Sequence, residues 1–159
     1  MFYNIDLKEN IEHRVKFNIE IYEIKNNIFN PIEVMLDTGC YNSLIPLNRA
    51  KLSGTPLNMK RSIVIGASAV ETEAYIINKL NIGSLEIKNV FMLAAAFKGE
   101  LADTILMGLN IINNWKCVIH RKANTLEIEE SFPKVIPNTA NPYRNYFNNE
   151  GKYVLVQDA

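Results

Sequence analysis

Three consecutive residues, Asp37-Thr38-Gly39, hold the clearest chemical potential of this chain. They follow an apolar run at 32–36, with a hydroxyl residue, Ser43, four positions beyond Gly39. Far along the chain stands Ile105-Leu106-Met107-Gly108, an apolar run closed by glycine. Alone, Asp-Thr-Gly reads as a turn, because Asp and Gly suit local hydrogen bonding and positive φ. At the end of a strand it can also hold a carboxylate for adding water to a carbonyl. That reaction needs one group to take a proton from water and another to give one to the carbonyl oxygen, which a single carboxylate cannot do. Two adjacent carboxylates share one proton and so supply acid and base together. The other candidates for a second copy, Asp6-Leu7, Asp103-Thr104 and Asp158-Ala159, lack the glycine that the turn requires. A second carboxylate therefore has to come from another copy of the chain, with a two-fold axis passing between two Asp37 residues.

Competing chemistries fit less well. His13, His120, Cys40 and Cys117 include no close Cys-x-x-Cys or His-x₃-His pair, so neither a metal site nor a cofactor is expected. Ser43 or Cys40 as a nucleophile needs a histidine base, and neither histidine stands in a recognisable setting for one. Cys40 has two open readings: an oxidisable thiol beside the turn, or a small buried filler.

The elements that must position Asp37 read as strands. Residues 14–24 alternate, with Val15, Phe17, Ile19 and Ile21 on one face, the pattern of a half-buried strand. The Asn- and Pro-containing segment 25–31 suits a turn, and 32–36 resumes extended structure up to Asp37. Pro46 at a first helical position and Gly54 at a stop predict one or two helical turns over 46–54. Residues 62–78 and 79–97 read as hairpins bending near Gly66 and Gly83. A short helix is predicted over 109–115, then a last hairpin over 116–120 and 124–130. The expected fold is all-β with one or two short helices, in one domain over 1–130. The segment 131–159, with one strand-like piece at 152–157, is expected to pack weakly on the domain edge or on a dimer interface.

A strand, Asp-Thr-Gly, Ser43 and the distant Leu106-Met107-Gly108 together resemble the retropepsin-like, retroviral-type aspartic peptidases, over residues 14–129. The second half, 107–128, is nearest to the protease-like domain of the eukaryotic DNA-damage-inducible ubiquitin-shuttle proteins. It departs from that domain at Asn110 and His120, where aspartates are expected. The resemblance implies a closed acid-protease barrel working as a homodimer, an aspartic endopeptidase on peptide or protein substrates. It makes Asp37, Thr38 and Gly39 catalytic, with Thr38 bracing across the dimer and Gly39 allowing close approach. Ser43, Leu106, Met107 and Gly108 become loop support. The hairpin at Gly66, Ala67, Ser68 and Ala69 resembles the flap that closes over a bound peptide; an ordinary surface turn is the other reading. A catalytically silent peptide-binding or dimerisation module on the same fold is the alternative function.

Length and composition agree with this reading. The 159 residues are 48% hydrophobic, ordinary for one globular domain. Seventeen basic residues balance seventeen acidic ones, which gives no reason to expect nucleic acid or an anionic membrane as partner. No run is apolar enough to span a membrane, and the first residues lack a secretory pattern, so a cytoplasmic location is expected, with both cysteines as thiols.

Overall fold

The computed structural model describes residues 2–8, 14–120, 122–130 and 154–158. His13, most of the segment 131–159 and its aromatic residues lie outside the described residues. The alternation that begins the barrel is realised in β2 (Lys16–Glu23), where Phe17, Ile19 and Ile21 are buried. Its partner β3 (Ile28–Leu36) starts earlier than the Asn/Pro content predicts and runs through Pro31. The turn is tighter than expected because Asn27 adopts φ 52° and the N–H groups of Asn26 and Asn27 both donate to the Glu23 carbonyl, at 3.3 and 2.8 Å. Asn and Asp tolerate that left-handed conformation better than other non-glycine residues.

After β3 come β4 (Ser43–Pro46), α1 (Leu47–Ser53), β5 (Gly54–Ile65), β6 (Ser68–Ile82), β7 (Leu85–Ala95), a 3₁₀ turn (Gly99–Asp103) and β8 (Thr104–Met107). Pro46 caps α1 rather than opening it, and Gly54 ends it by entering β5 in extended conformation, φ −143°. A Cβ at Gly54 would lie 2.8 Å from the Ile76 carbonyl oxygen, so glycine is what lets β5 lie against β6 here. The hairpin read at 62–78 is the central part of this longer β5–β6 pair, which turns at Gly66-Ala67.

The sheet order is β2-β3-β8-β4-β7-β6-β5, and β2 also pairs with β6 through Glu20↔Asn81 and Ile21↔Leu80. Six strands thus close into a barrel, leaving β5 as an outer strand on β6. Closure removes the open edges a flat sheet would present. Inward residues such as Phe17, Ile21, Val34, Ile45, Ile77, Leu80 and Met92 fill the interior.

A second sheet holds β1 (Phe2–Asp6), β10 (Thr125–Glu130), β9 (Trp115–His120) and β11 (Val154–Asp158), in the order β1-β10-β9-β11. Trp115, Cys117, Ile119, Leu126 and Ile128 pack into the barrel core from this side. β11 lies parallel to β9 at the sheet edge. The helix predicted over 109–115 is shorter: α2 spans Leu109–Ile112 and Trp115 already belongs to β9. It stops early because the Asn114 side-chain amide donates to the Asn110 and Ile111 carbonyls, 3.2 Å each, taking up carbonyls that another helical turn would use. No helix among the described residues is long and apolar enough to cross a membrane.

Candidate active site

Asp37 stands where β3 leaves the barrel. β3 runs parallel to β8 as far as Leu36↔Met107, and the Asp37 N–H extends the ladder by donating to the Met107 carbonyl at 2.9 Å. On its other side β8 meets β4 at Leu44↔Leu106. The turn joining β3 to β4 is therefore held on both flanks by the Leu106-Met107-Gly108 segment.

Within the turn, the Gly39 N–H donates to Asp37 Oδ1 at 2.8 Å and the Cys40 N–H to the Asp37 carbonyl at 3.3 Å. The first of these fixes the carboxylate's rotation by a charge-assisted bond. A Cβ at Gly39 would sit 3.2 Å from Asp37 Oδ1, a tight approach that favours glycine. The Thr38 hydroxyl forms no hydrogen bond to another described residue. Asp37, Thr38 and Cys40 are partly exposed, and Gly39 is exposed.

Beneath the turn lies a buried polar cluster. The Ser43 hydroxyl accepts from the Gly108 N–H at 3.0 Å and donates to Asn110 Oδ1 at 2.7 Å. The Ser43 N–H donates to the same Oδ1 at 2.9 Å, and Asn110 Nδ2 donates to the Phe91 carbonyl of β7 at 2.8 Å. The Leu109 and Asn110 N–H groups donate to the Cys40 and Tyr41 carbonyls at 2.8 and 3.0 Å. Ser43 and Asn110 are essentially inaccessible, at 0% and 1% exposure, so their polar atoms rely on one another, since an unpaired buried group costs about 1–3 kcal/mol. Gly108 fits because its position is crowded: a Cβ there would approach the Cys40 oxygen to 2.6 Å and the Asn42 carbonyl to 2.9 Å.

Asp37 opens into a cleft of about 460 Å³. One wall is the turn itself, with Cys40, Tyr41 and Leu44; Leu93 of β7, Leu106 of β8 and Leu101 of the 3₁₀ turn line the rest, and Ile63, Val64, Ile65 and Gly66 of β5 stand on the other wall. Asp37 is the one carboxylate among the described residues of this lining. The β5–β6 turn is made by Gly66 at φ +61° followed by Ala67, the glycine-first arrangement of a tight two-residue hairpin. Of the four residues read from sequence as a flap, Gly66 lines the cleft, while Ala67, Ser68 and Ala69 are exposed at the turn and the start of β6. Ile63, Val64 and Ile65 line the cleft without having been singled out. Their signal was the unbroken apolar run before Gly66: Val64 is 76% exposed, at a position where strand alternation would place a polar residue.

Cys40 Sγ donates to the Asn42 carbonyl at 2.7 Å, and its thiol is pushed up to about 11 by burial and by the neighbouring Asp37 charge. It is therefore a neutral thiol at physiological pH. Cys117 is buried in the second sheet and His120 lies on β9, neither on the turn.

An Asp-Thr-Gly turn at the mouth of an apolar cleft, on a closed six-stranded barrel, defines the retropepsin-like aspartic protease class. The profile of the family described as "gag-polyprotein putative aspartyl protease" matches residues 23–114, and the chain belongs to that family. Among solved structures it is similar to a retropepsin-like aspartic protease from Rickettsia conorii, with 20% identity, 80% of this chain and 91% of that one covered, and a TM-score of 0.53. EIAV protease in complex with the inhibitor HBY-793 is also similar, with 25% identity, coverage of 67% and 91%, and a TM-score of 0.48. No curated protein matches the chain.

Proposed function

We propose that the protein is an aspartic endopeptidase that acts as a homodimer, with Asp37 from each copy supplying half of one active site. The observation that carries this reading is the Asp37 carboxylate itself, held by the Gly39 N–H at 2.8 Å in an open apolar cleft with no second carboxylate among its described lining residues. Water bound between two such carboxylates would lose a proton to the ionised one while the protonated one donates to the peptide carbonyl. Thr38, whose hydroxyl has no partner within the described chain, braces the two turns across the axis. Gly39 and Gly108 let backbones crowd around the carboxylate, and Ser43, Leu106 and Met107 fix the turn from below.

The β5–β6 hairpin is the flap, closing with Gly66-Ala67 at its tip and presenting Ile63 and Ile65 to the substrate. An extended peptide lies between flap and turn, gripped through its backbone like an added strand. The segment 131–159 packs on the domain edge or at the dimer interface, consistent with β11 at the edge of β9. Within the family, the pattern at 107–128 supports a place near the protease-like domain of the DNA-damage-inducible shuttle proteins. Two free cysteines suit the cytoplasmic location that belongs to the same proposal.

The deciding experiment is peptide-library cleavage by the wild type and Asp37→Asn side by side, with the dimer verified by sedimentation. Asp37→Asn is expected to stay folded and dimeric with cleavage reduced by about 10³-fold or more, the scale on which acid–base groups contribute. Undiminished cleavage by that variant would remove Asp37 from the mechanism. A wild type that binds peptides but cuts none leaves a binding module.

A further inference from the structure

We infer that Glu100 is a positioning residue for the cleft: its ion pairs to Arg14 and Lys16 hold the wall that carries Leu101, and through Leu101 they set how strongly the cleft prefers a large apolar side chain over a small one. The inference rests on reading the cleft as a peptidase site. Its starting point is a contrast between the walls. Leu44, Leu93 and Leu106 stand on barrel strands and are buried there. Leu101 stands instead on the 3₁₀ turn, none of whose five residues is buried, and it packs only in part against the apolar cluster of Met35, Leu44 and Leu93. The turn opens at Gly99, whose φ is +65° and around which there is open space, so close packing does not fix that end either.

Charge holds the turn at both ends. At its end, Asp103 Oδ1 accepts from Arg49 Nε at 3.2 Å, and Arg49 is itself fixed by donating from Nη2 to the Pro31 carbonyl at 3.1 Å. At its start, the Glu100 carboxylate accepts from Lys16 Nζ at 2.7 Å through Oε1 and from Arg14 through Oε2. Between these two cations the Val15 carbonyl accepts from the Leu36 N–H at 3.0 Å, and Leu36 immediately precedes Asp37. Lys16 stands opposite Met35 in the β2–β3 ladder, and Arg14 Nη1 reaches Met35 Sδ at 3.7 Å. Glu100 therefore ties the Leu101 wall to the backbone that delivers Asp37. The hydrogen bond from Lys16 first, and then that from Arg14, hold the Glu100 carboxyl below the usual carboxylate range, so the clamp is charged in mildly acid as well as neutral solution.

Ion pairs open to solvent are individually weak and are screened by salt. A wall held in this way yields where a packed strand would not. A large substrate side chain that touches Leu101 feels the yielding; a small one that falls short of it does not. The preference of the cleft for large over small is thus tied to the strength of a charge cluster outside it.

The test compares full-length wild type, Glu100→Gln and Leu101→Ala on peptides from the library that the wild type cuts, in pairs that differ only in Leu or Ala at one position beside the cut. kcat/KM is measured from about 0.1 to 1 M sodium chloride, over which the screening length falls from about 10 to about 3 Å. Leu101→Ala identifies the positions whose side chain reaches Leu101. At those same positions Glu100→Gln is expected to lower the Leu-over-Ala preference about threefold or more at low salt, a part of the roughly 10–200-fold that one methylene can be worth in an apolar pocket. The difference from wild type is expected to close as salt rises. A preference that Glu100→Gln leaves unchanged, that falls only where Leu101→Ala has no effect, or that differs from wild type by one factor at every salt concentration overturns the inference; so does a Leu101→Ala variant with wild-type preference throughout. The Leu101 methyl NMR signals, assigned with Leu101→Ala, read the wall without substrate. They are expected to shift between wild type and Glu100→Gln at low salt, and identical signals overturn the inference whatever the protein cleaves. Should the wild type cleave nothing while those signals do shift, the peptidase reading fails and the clamp on Leu101 stands.

Discussion

At the scale of single residues, the site depends on groups whose replacement leaves no room for adjustment. Gly108→Ala places a methyl 2.6 Å from the Cys40 carbonyl oxygen, and backbone on both sides must move. Urea unfolding is expected to show a loss of about 1–3 kcal/mol, with cleavage falling about tenfold or more as the turn shifts. Burial pushes the Cys117 thiol up to about 12. The folded chain therefore holds that proton more tightly than the unfolded chain, where a thiol titrates near about 8.5. The resulting stability is complete below about 8.5 and is lost as pH rises from there towards 12. Wild type should accordingly lose more unfolding free energy than Cys117→Ala between pH 8 and 10.5; parallel losses would show that another group governs the alkaline limb. That Asp37, Gly39, Ser43 and Gly108 come together in one turn was legible from residue type and order, because the close contacts they make tolerate few substitutes. Asn110 was noticed as a departure from the family pattern but not as the hub of the buried cluster, since nothing in the sequence says that Ser43 and the Phe91 carbonyl converge on it.

At the scale of elements, alternation found β2 and glycines found the bends of both middle hairpins, since a half-buried strand and a positive-φ turn each leave a local mark. β1 left none: of its five residues only Ile5 is buried, so no alternation betrays a strand held chiefly by its pairing with β10. The end of α2 was misjudged because Asn114 caps it through side-chain bonds that composition does not reveal. The β5–β6 hairpin, proposed as a flap, invites a test of its own. Gly66 has open space around it but a φ of +61°, so Gly66→Val introduces strain without a clash. Stability should fall by about 1–2 kcal/mol, and kcat/KM for an extended peptide should fall with it while intrinsic dimer affinity is unchanged. Replacing exposed Val64 with Lys should weaken apolar peptide substrates through KM while sparing the fold.

At the scale of the whole molecule, the proposed sharing of one site between two copies makes activity depend on concentration. Specific activity is expected to fall as the protein is diluted through its dimer dissociation constant, measured in parallel by sedimentation; a constant value far below that point would exclude a shared site. The position of β8 carries another consequence. β3 and β4 are neighbours in the chain, yet the strand lying between them is Thr104–Met107, and the turn bearing Asp37 takes its hold from that insert. A ribosome-bound chain that has not yet released those residues lacks the Met107 carbonyl and the Gly108 N–H that hold the turn at Asp37 and Ser43. The geometry of the turn is thereby completed only when β8 has been made and has docked between its two neighbours.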